Sequence, residues 1–245
     1  MLEIRHEKMD RTEDTQRRYN DIYRDDGIQQ RDSFYLWLVG LLKPQPGRLL
    51  LDISCGQGRL VRFAKEQGLR VIGMDFAEDA VRIGIRSESP QSGWAVADGE
   101  RLPVADGSVD YVTHIGSLEH YQDPQQGLFE IRRVLKPTGT ACILLPNSFG
   151  LFGNIKHVMA TGEIFDDGQP LQRYNTRSGW EAMIREAGLA AFDLLKYERE
   201  WPRTTRDLFW YLKSPRKIAR LFAAWFIPVN LANCLVFLCR PVEGE

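Results

Sequence analysis

The sequence is short of cysteine and shows no excess of charge of either sign. Its four cysteines, Cys55, Cys142, Cys234 and Cys239, have no C-x-x-C spacing, which argues against a zinc site or a disulfide framework. We therefore predict no metal and expect free thiols in a reducing cytoplasm. The 32 basic and 33 acidic residues leave a formal net charge of −1. Because no polybasic run is present, nucleic acid is not expected as a partner.

An apolar leader and a long uninterrupted apolar run are also missing. The first residues, Met1–Asp14, are charged and lack the apolar core of a signal peptide, so we expect them to fray. The most apolar stretch, Leu221–Leu231, is interrupted at Pro228 and Asn230 and would barely reach membrane length. A transmembrane span is therefore not expected. The sequence has no internal repeats or low-complexity segments.

Two interpretations of Leu221–Leu231 remain. The first, which we favour, is a buried helix that leads into the last strand. The second is an interfacial helix that places Trp225 and Phe226 in a membrane surface. Its support would come from the basic residues Arg216, Lys217 and Arg220. Contact with a membrane surface is therefore the less favoured prediction.

The stretch Leu49–Arg59, which reads L-L-L-D-I-S-C-G-Q-G-R, organises the rest of the chain. Its apolar run predicts a buried parallel strand, and the small residues that follow predict a turn before an amphipathic helix, Leu60–Gln67. Glycines at 56 and 58 allow a tight turn and a close approach to a bound molecule. The beginning of the helix offers unpaired N–H groups to a carboxylate or another anion.

Two further predicted strands end in acidic residues. Arg70–Met74 is followed by Asp75, at the distance where an α/β nucleotide fold places a ribose-binding carboxylate. Gly93–Ala97 is followed by Asp98, Gly99 and Glu100. Together with Asp52 in the first strand, these acids predict one cleft above the carboxyl edge of a parallel sheet.

The remaining pattern alternates between helices and strands, as in an α/β fold. Further strands are predicted at Asp110–Ile115, Thr140–Leu145, Leu189–Glu200 and Cys234–Cys239, with Lys136–Gly139 as the turn before the second of these. Helices are predicted at Thr15–Arg24, Arg31–Leu42, Ala77–Arg86, Asp123–Leu135 and Asn175–Gly188, with a polar connection at Ser87–Gly93. Phe149–Leu171 interrupts the alternation and is predicted to be a short helical lid with a loop.

These motifs together resemble the class I S-adenosylmethionine (SAM)-dependent methyltransferases. Leu51–Gly58 matches the family's first glycine-rich motif, with Ser54 where glycine is usual, and Leu102–Asp110 matches its L-P-F-x-D-x-S-F-D run. The resemblance implies a seven-stranded Rossmann-like sheet, mostly parallel with the last strand antiparallel. It also implies flanking helices, N-terminal cap helices and a small lid.

A single domain is expected over residues 1–245. Its parts would be N-terminal cap helices in residues 1–47, a SAM-binding core in residues 48–148, a lid insertion in residues 149–175, and the second half of the core with a helical insertion in residues 176–245.

The resemblance also implies the cofactor, SAM, with S-adenosylhomocysteine as its product. In the family, the acid at Asp75 binds the ribose hydroxyls, the residue at Phe76 packs beside the adenine, and the acid at Asp98 lies near the adenine amino group. The full set of expected cofactor-binding residues is Asp52, Ser54, Cys55, Gly56, Gly58, Asp75, Phe76, Asp98, Gly99, Glu100, Ile115 and Gly116.

The best candidate for catalysis is His120, because it follows the fourth strand and imidazole titrates near neutral pH. An equally weighted alternative is a histidine that only hydrogen-bonds within its loop. Glu119 would orient His120 or the substrate, whereas His114, inside a strand, is expected to be structural. Candidate substrate contacts are Tyr19, Tyr23, Tyr121, His157, Arg173 and Tyr174. For Tyr19 and Tyr23, packing is the favoured alternative.

The predicted function is methyl transfer from SAM to a small-molecule acceptor with an O, N or C nucleophile, by a monomer or homodimer. A nicotinamide-dependent oxidoreductase is an alternative, but Val61 stands where G-x-G-x-x-G needs its third glycine. The run G-S-L-E-H-Y also resembles G-x-x-E-H-F of the cyclopropane fatty-acid synthases, a lipid-modifying alternative. A SAM-binding protein without catalysis stays open as well.

Overall fold

A computed structural model describes residues 1–5, 12–25, 27–87 and 92–242. The strands are β1 Leu2–Arg5, β2 Leu49–Ile53, β3 Arg70–Asp75, β4 Gly93–Val96, β5 Val109–Ile115, β6 Leu135–Pro146, β7 Leu171–Tyr174, β8 Leu189–Tyr197 and β9 Cys234–Pro241. The α-helices are α1 Thr12–Asp25, α2 Asp32–Leu41, α3 Arg59–Glu66, α4 Glu78–Ser87, α5 Pro124–Val134, α6 Lys156–Thr161, α7 Arg177–Glu186, α8 Thr205–Leu212 and α9 Pro215–Phe226. Short helical turns cover Leu118–His120, Leu151–Ile155 and Val229–Leu231.

Seven of these strands form one sheet in the order β4-β3-β2-β5-β6-β9-β8. The pairs β4–β3, β3–β2, β2–β5 and β5–β6 are parallel, whereas β9 is antiparallel to both β6 and β8. The predicted seven-stranded Rossmann-like α/β fold with an antiparallel last strand is therefore confirmed. Because the chain crosses from one side of β2 to the other between β4 and β5, the carboxyl edge opens at that point and can hold a ligand.

The central strands are apolar on both faces because helices cover both sides of the sheet. On one face, α2 and α3 bury residues such as Leu38 and Val61 against Leu50. On the other face, α5 and α7 bury residues such as Ile131 and Trp180. The Trp180 indole also donates a 2.8 Å hydrogen bond to the Pro146 carbonyl at the end of β6.

The beginning of the chain is not frayed, so that expectation is wrong for the residues described. β1 pairs antiparallel with β7 in a separate two-stranded sheet, with Leu2 opposite Tyr174 and Arg5 opposite Leu171. Glu3 and Arg173 add a 2.8 Å ion pair across this sheet. The charged composition misled the prediction, because β1 is held by backbone pairing with a distant segment. Residues 6–11, also in the segment expected to fray, lie outside the described residues.

Two other boundaries differ from the predictions. β6 begins at Leu135 because residues 136–139 continue the strand, with an irregular register where Leu135 pairs with Val109 and Thr140 with Tyr111. The predicted turn at 136–139 is therefore wrong. In the predicted lid, Leu151–Thr161 is helical, whereas Leu171–Tyr174 belongs to β7. Part of the predicted polar connection at Ser87–Gly93, residues 88–91, lies outside the described residues.

The favoured interpretation of Leu221–Leu231 as a buried helix is also wrong. Leu221, Ala224 and Ile227 are buried, but Phe222, Trp225 and Phe226 are exposed. The stretch therefore presents apolar side chains both to the protein and to solvent.

Within the described ranges, no helix combines the length and apolar character that crossing a bilayer requires. All four cysteines are free thiols.

Candidate active site at the carboxyl edge of the sheet

A cavity of about 740 Å³ lies above the carboxyl ends of β2, β3 and β5. Small-molecule sites typically have about 300–1,000 Å³, so this cavity has the size of a ligand site. Of the expected cofactor residues, the cavity lining includes Asp52, Ser54, Cys55, Gly56, Asp75, Phe76, Asp98, Gly99, Glu100, Ile115 and Gly116. Gly58 does not line it.

The loop after β2 is held from below by the acid at the end of β3. Asp75 accepts hydrogen bonds from the Gly56 N–H at 2.7 Å and from the Ala77 N–H at 2.8 Å. The loop turns through left-handed backbone at Ser54, with φ +55°, and at Gly56, with φ +53°. Ser54 therefore occupies a conformation that favours glycine, the residue usual at this position in the family that the motif resembles.

Glycine is required at position 58 for packing and backbone conformation. Its φ is +80°, and a side chain there would collide with the ring of Trp94. The same ring also fills the space beside Gly84. Gly58 therefore allows the close approach of Trp94.

Burial shifts the acids below the loop toward their neutral forms. Desolvation raises the pKa of Asp52 to about 7, although a hydrogen bond of 2.6 Å from the Thr113 hydroxyl opposes the shift. Desolvation likewise raises the pKa of Asp75 to about 6, against the opposing effect of its backbone hydrogen bonds. A positive charge placed in the cavity would favour the ionised forms of both acids.

The charge of the cavity lining is strongly unbalanced. Among the described residues, its permanent cation is Arg5, on β1. Its carboxylic acids are Asp52, Asp75, Asp98, Glu100, Glu119 and Asp167. The cavity therefore suits a ligand that carries positive charge better than one that carries phosphate or several carboxylates.

His120 and Glu119 line the cavity next to each other, just after β5. The Leu171 carbonyl can only accept, so the His120 Nδ1 that contacts it carries the hydrogen. Nε2 is then the basic atom, and it lies 3.9 Å from Glu119 Oε1. Burial lowers the pKa of His120 and raises the pKa of Glu119 to about 8. At neutral pH both groups are therefore uncharged, and His120 can accept a proton.

Tyr121 connects the loop after β2 with β5. Its hydroxyl lies 2.9 Å from both Ser54 Oγ and His114 Nε2. A side chain at Gly99 would collide with this hydroxyl. Burial lowers the pKa of His114 to about 3, which keeps the imidazole neutral. His114 thus supports Tyr121, in agreement with its expected structural role.

Tyr19 and Tyr23 on α1 cover the cavity from above. The Tyr23 ring lies against Gly56, where an added Cβ would be 3.0 Å from its hydroxyl. Within the described part of the chain, the buried Tyr19 hydroxyl has no hydrogen-bond partner, and neither has Glu119 Oε2. Because both groups line the cavity, a bound molecule could supply these missing hydrogen bonds.

The other three candidate substrate contacts lie outside the cavity lining. Arg173 is buried and donates to the Tyr121 and Gln122 carbonyls while it pairs with Glu3, so it ties β7 to the loop after β5. The Tyr174 hydroxyl donates to the Phe165 carbonyl at 3.0 Å, and the His157 ring packs edge-on against Phe165. All three make structural contacts, and their predicted substrate contacts stay predictions.

Sequence reasoning missed much of the roof. Two signals were available, namely the aromatic residues of α2 and the polar residues of the predicted lid. No local signal marks Arg5, Tyr197 or Cys234, which come from three distant elements. The lining residues that were not predicted are Arg5, Thr15, Ile28, Gln30, Phe34, Tyr35, Leu60, Ser117, Gln122, Leu144, Asp167, Gln169, Tyr197 and Cys234.

Comparison with known proteins agrees with this geometry. Residues 51–143 match the family model for the methyltransferase domain. The chain is 37% identical over 113 residues to a ubiquinone/menaquinone biosynthesis C-methyltransferase from Acidiphilium cryptum, a match that covers 42% of this chain and 45% of the relative. It is 31% identical over 175 residues to a 27-O-demethylrifamycin SV methyltransferase from Amycolatopsis mediterranei, covering 66% of this chain and 62% of the relative.

The similarity in fold extends further than the similarity in sequence. One chain of the complex between the Haloferax volcanii Trm112 methyltransferase activator and a methyltransferase superposes with a TM-score of 0.64 at 18% identity. It covers 92% of this chain and 98% of its own. Residues 51–143 therefore resemble a methyltransferase domain, and the likeness in fold extends over most of the chain. The resemblance inferred from the motifs is confirmed, and so is SAM as the cofactor of the family.

Proposed function

We propose that the protein transfers a methyl group from SAM to a small-molecule acceptor. The observation that carries the proposal is the acid-lined cavity, in which the acids at three strand ends lie beside a glycine loop fixed by Asp75. The matched methyltransferase domain supports the chemistry. The activity is a proposal because the chain spans about half the length of several of the curated relatives it matches.

The residues of the cavity fit SAM. When bound, SAM supplies a methyl group on a cationic sulfur. The carboxylates that line the cavity would stabilise this charge and that of the amino group. In the proposed arrangement, Asp75 binds the ribose hydroxyls, while Phe76 and Asp98 hold the adenine. Tyr19, whose buried hydroxyl lacks a partner among the described residues, would complete its hydrogen bonding with the bound cofactor or acceptor.

The acceptor is proposed to be a neutral or cationic small molecule, because the lining carries six acids and Arg5. The names of two relatives support a small-molecule acceptor, one being a ubiquinone/menaquinone biosynthesis C-methyltransferase and the other a 27-O-demethylrifamycin SV methyltransferase. Neither name refers to a nucleic acid or protein acceptor. Whether the accepting atom is carbon, oxygen or nitrogen is the finer question, and His120 bears on it.

We assign His120 as the base that removes a proton from the acceptor. Its Nδ1–H is fixed on the Leu171 carbonyl, which leaves Nε2 as the acceptor of a proton inside the cavity. Its lowered pKa keeps it in the basic form at neutral pH. Glu119, neutral for the same reason of burial, would donate a hydrogen bond to the acceptor. Positioning the acceptor for in-line attack would supply much of the remaining rate enhancement.

The direct test is a screen of metabolite extracts with SAM labelled in its methyl group. We expect label in a low-molecular-weight product, and loss of that label when excess S-adenosylhomocysteine competes for the cavity. The matched control is Asp75→Ala, which should abolish labelling at low SAM concentration. Label in protein or nucleic acid, or labelling that Asp75→Ala leaves unchanged, would contradict the proposal. Label in an unsaturated lipid with loss of its double bond would favour the cyclopropane synthase alternative.

A further inference from the structure

The helices α8 and α9 carry apolar side chains that nothing in the described structure covers. Phe222, Trp225 and Phe226 are 49%, 64% and 85% exposed, and they share one face of α9. Leu221 and Ala224 are buried on the other side of the same helix. A helix that is apolar on both sides normally has both sides covered. We therefore expect the outer face of α9 to be covered by a binding partner.

Three of the exposed aromatic rings, Trp201, Phe222 and Trp225, contact one another. Trp201 packs edge-on against Phe222, with 5.4 Å between ring centroids, and lies 5.7 Å from Trp225. On α8, Phe209 and Leu212 are also exposed. The α8–α9 surface is defined here as Trp201, Phe209, Leu212, Phe222, Trp225 and Phe226. It consists of five aromatic side chains and Leu212, all of them exposed.

The segment that carries the α8–α9 surface is rich in basic residues. Residues 201–227 contain six cations, Arg203, Arg206, Lys213, Arg216, Lys217 and Arg220, against one acid, Asp207. Asp207 is 2% exposed and accepts a 2.8 Å hydrogen bond from the Ser33 N–H, so its charge faces inward. This local excess stands out in a chain of net charge −1. The surface therefore complements an anionic partner.

Part of this charge is fixed in place by the fold. Lys217 Nζ lies 3.6 Å from the centroid of the Trp210 ring and the Arg31 guanidinium lies 3.3 Å from it, so Trp210 joins α9, α8 and the beginning of α2. Cation–π contacts of this kind hold the two helices in one orientation. Lys217 is thus held against Trp210.

We propose that the α8–α9 surface docks on an anionic lipid bilayer. Tryptophan and phenylalanine insert favourably at the level of the headgroups, while lysine and arginine extend toward lipid phosphates. A second copy of the chain is a poorer occupant, because a two-fold interface at this surface would bring the same six cations together. The proposal goes beyond the methyl-transfer chemistry and does not depend on it.

Helix α8 also lines a cleft beside the active-site cavity. A cleft of about 610 Å³ is lined by Arg206 and Trp210 of α8, and it shares Gln30, Tyr197 and Cys234 with the main cavity.

The test is sedimentation of the 245-residue chain with vesicles, one set of phosphatidylcholine alone and one set that also contains phosphatidylglycerol. We expect binding to the anionic vesicles that weakens as salt increases, because basic residues near such a surface add attraction that salt screens. Lipids brominated in the acyl chain should also quench the tryptophan fluorescence of the bound wild-type protein. That second measurement needs no variant.

Two double variants and their matched controls separate the apolar and ionic contributions. Trp225→Ser with Phe226→Ser should lower the partition coefficient at least tenfold, whereas Phe129→Ser with Ile85→Ser, also at exposed positions, should not change it. Arg216→Glu with Arg220→Glu should lower binding to anionic vesicles at least tenfold, whereas Arg70→Glu with Arg185→Glu makes the same change in net charge and should have much less effect. Unchanged melting temperatures would show that all four variants fold.

Several results would overturn the proposal. They are failure of the wild-type protein to bind either vesicle, equal binding by the α9 variants and their controls, and absence of quenching by brominated lipid. A dimer in sedimentation velocity that the Trp225 and Phe226 changes dissociate, without vesicle binding, would assign the surface to a second copy. Failure of the labelled-SAM screen would leave the vesicle result standing, since the assay contains no cofactor.

Discussion

The carboxyl edge of the sheet and the cap above it are built in different ways. At the edge, Asp52, Asp75 and Asp98 are placed by the strands that they belong to or follow, and each lies where the chain leaves the sheet. In the cap, β1, α1 and residues 149–174 meet through contacts between segments far apart in sequence, such as Glu3 with Arg173. Local patterns thus place the cofactor residues, and long-range pairing places the roof.

His120 lies where these two regions meet. It follows β5 at the edge, but its Nδ1 is held by the Leu171 carbonyl of β7 in the cap. The proposed base therefore depends on both regions, whereas the proposed cofactor residues depend mainly on the edge. Substitutions that separate turnover from cofactor affinity test this difference.

The largest expected effect is that of His120→Ala on turnover. If the acceptor loses a proton to His120, kcat should fall by about a hundredfold or more, because general-base catalysis typically contributes 10²–10⁴-fold. SAM affinity, measured by calorimetry, should stay nearly unchanged. His157→Ala, in the cap but outside the cavity lining, is the matched control. Equal rates for wild type and His120→Ala across the accessible pH range would remove His120 from the mechanism.

Asp75→Ala should act mainly on cofactor binding. It removes the proposed ribose contacts and releases the Gly56 N–H, and charge-assisted hydrogen bonds are worth about 1.5–3 kcal/mol each. We expect the Kd for SAM to rise about ten- to a hundredfold in a calorimetric titration. Asp193→Ala removes an exposed carboxylate on β8 and should leave the Kd unchanged. An unaltered Kd in Asp75→Ala would exclude Asp75 from the cofactor site.

Asp52→Asn should stabilise the cofactor-free protein above neutral pH. In the unfolded chain Asp52 ionises near pH 4, whereas in the folded protein its pKa is about 7, so the folded state holds more protons between these values. The free energy of unfolding contributed by this group therefore falls as the pH rises from about 4 to 7. Urea denaturation at pH 8 should show Asp52→Asn more stable by about 1–3 kcal/mol, with no difference at pH 4. If wild type and Asp52→Asn were equally stable at both pH values, burial of the Asp52 carboxylate would not destabilise the folded protein.

The smallest expected effect is in the cap, at Glu3. Because its side chain is partly exposed, Glu3→Gln should lower the free energy of unfolding by less than about 1 kcal/mol. Arg173→Ala should cost more, about 1–3 kcal/mol, because the Tyr121 and Gln122 carbonyls lose their donor. Denaturation of the two variants in parallel measures the difference. If Glu3→Gln lost more free energy of unfolding than Arg173→Ala, the ion pair itself would hold the cap.

The comparison explains what the sequence could predict. The strand that ends at Asp52 is an apolar run followed by a glycine turn, and strands of this kind meet at one edge whatever the rest of the chain does. The same rule placed Asp75 and Asp98, and the cavity lining contains them. Gly58 was placed correctly on the loop, but its neighbour is Trp94, which sits on another strand and could not be inferred from spacing.

The errors share a different cause. Arg5 and Tyr197 enter the lining only because β1 pairs with β7 and β8 pairs with β9. Arg173 was predicted to contact the substrate, yet its guanidinium donates hydrogen bonds to backbone carbonyls. The buried interpretation of α9 failed because periodicity reports an apolar face without saying what covers it. In each case the missing information was a partner distant in sequence.

The central claim is that the acid-lined cavity at the carboxyl edge binds SAM. Calorimetric titration of the 245-residue chain with SAM, S-adenosylhomocysteine and NAD tests it most directly. We expect one molecule of SAM or S-adenosylhomocysteine bound per chain and no binding of NAD. Binding of NAD without binding of SAM would contradict the account.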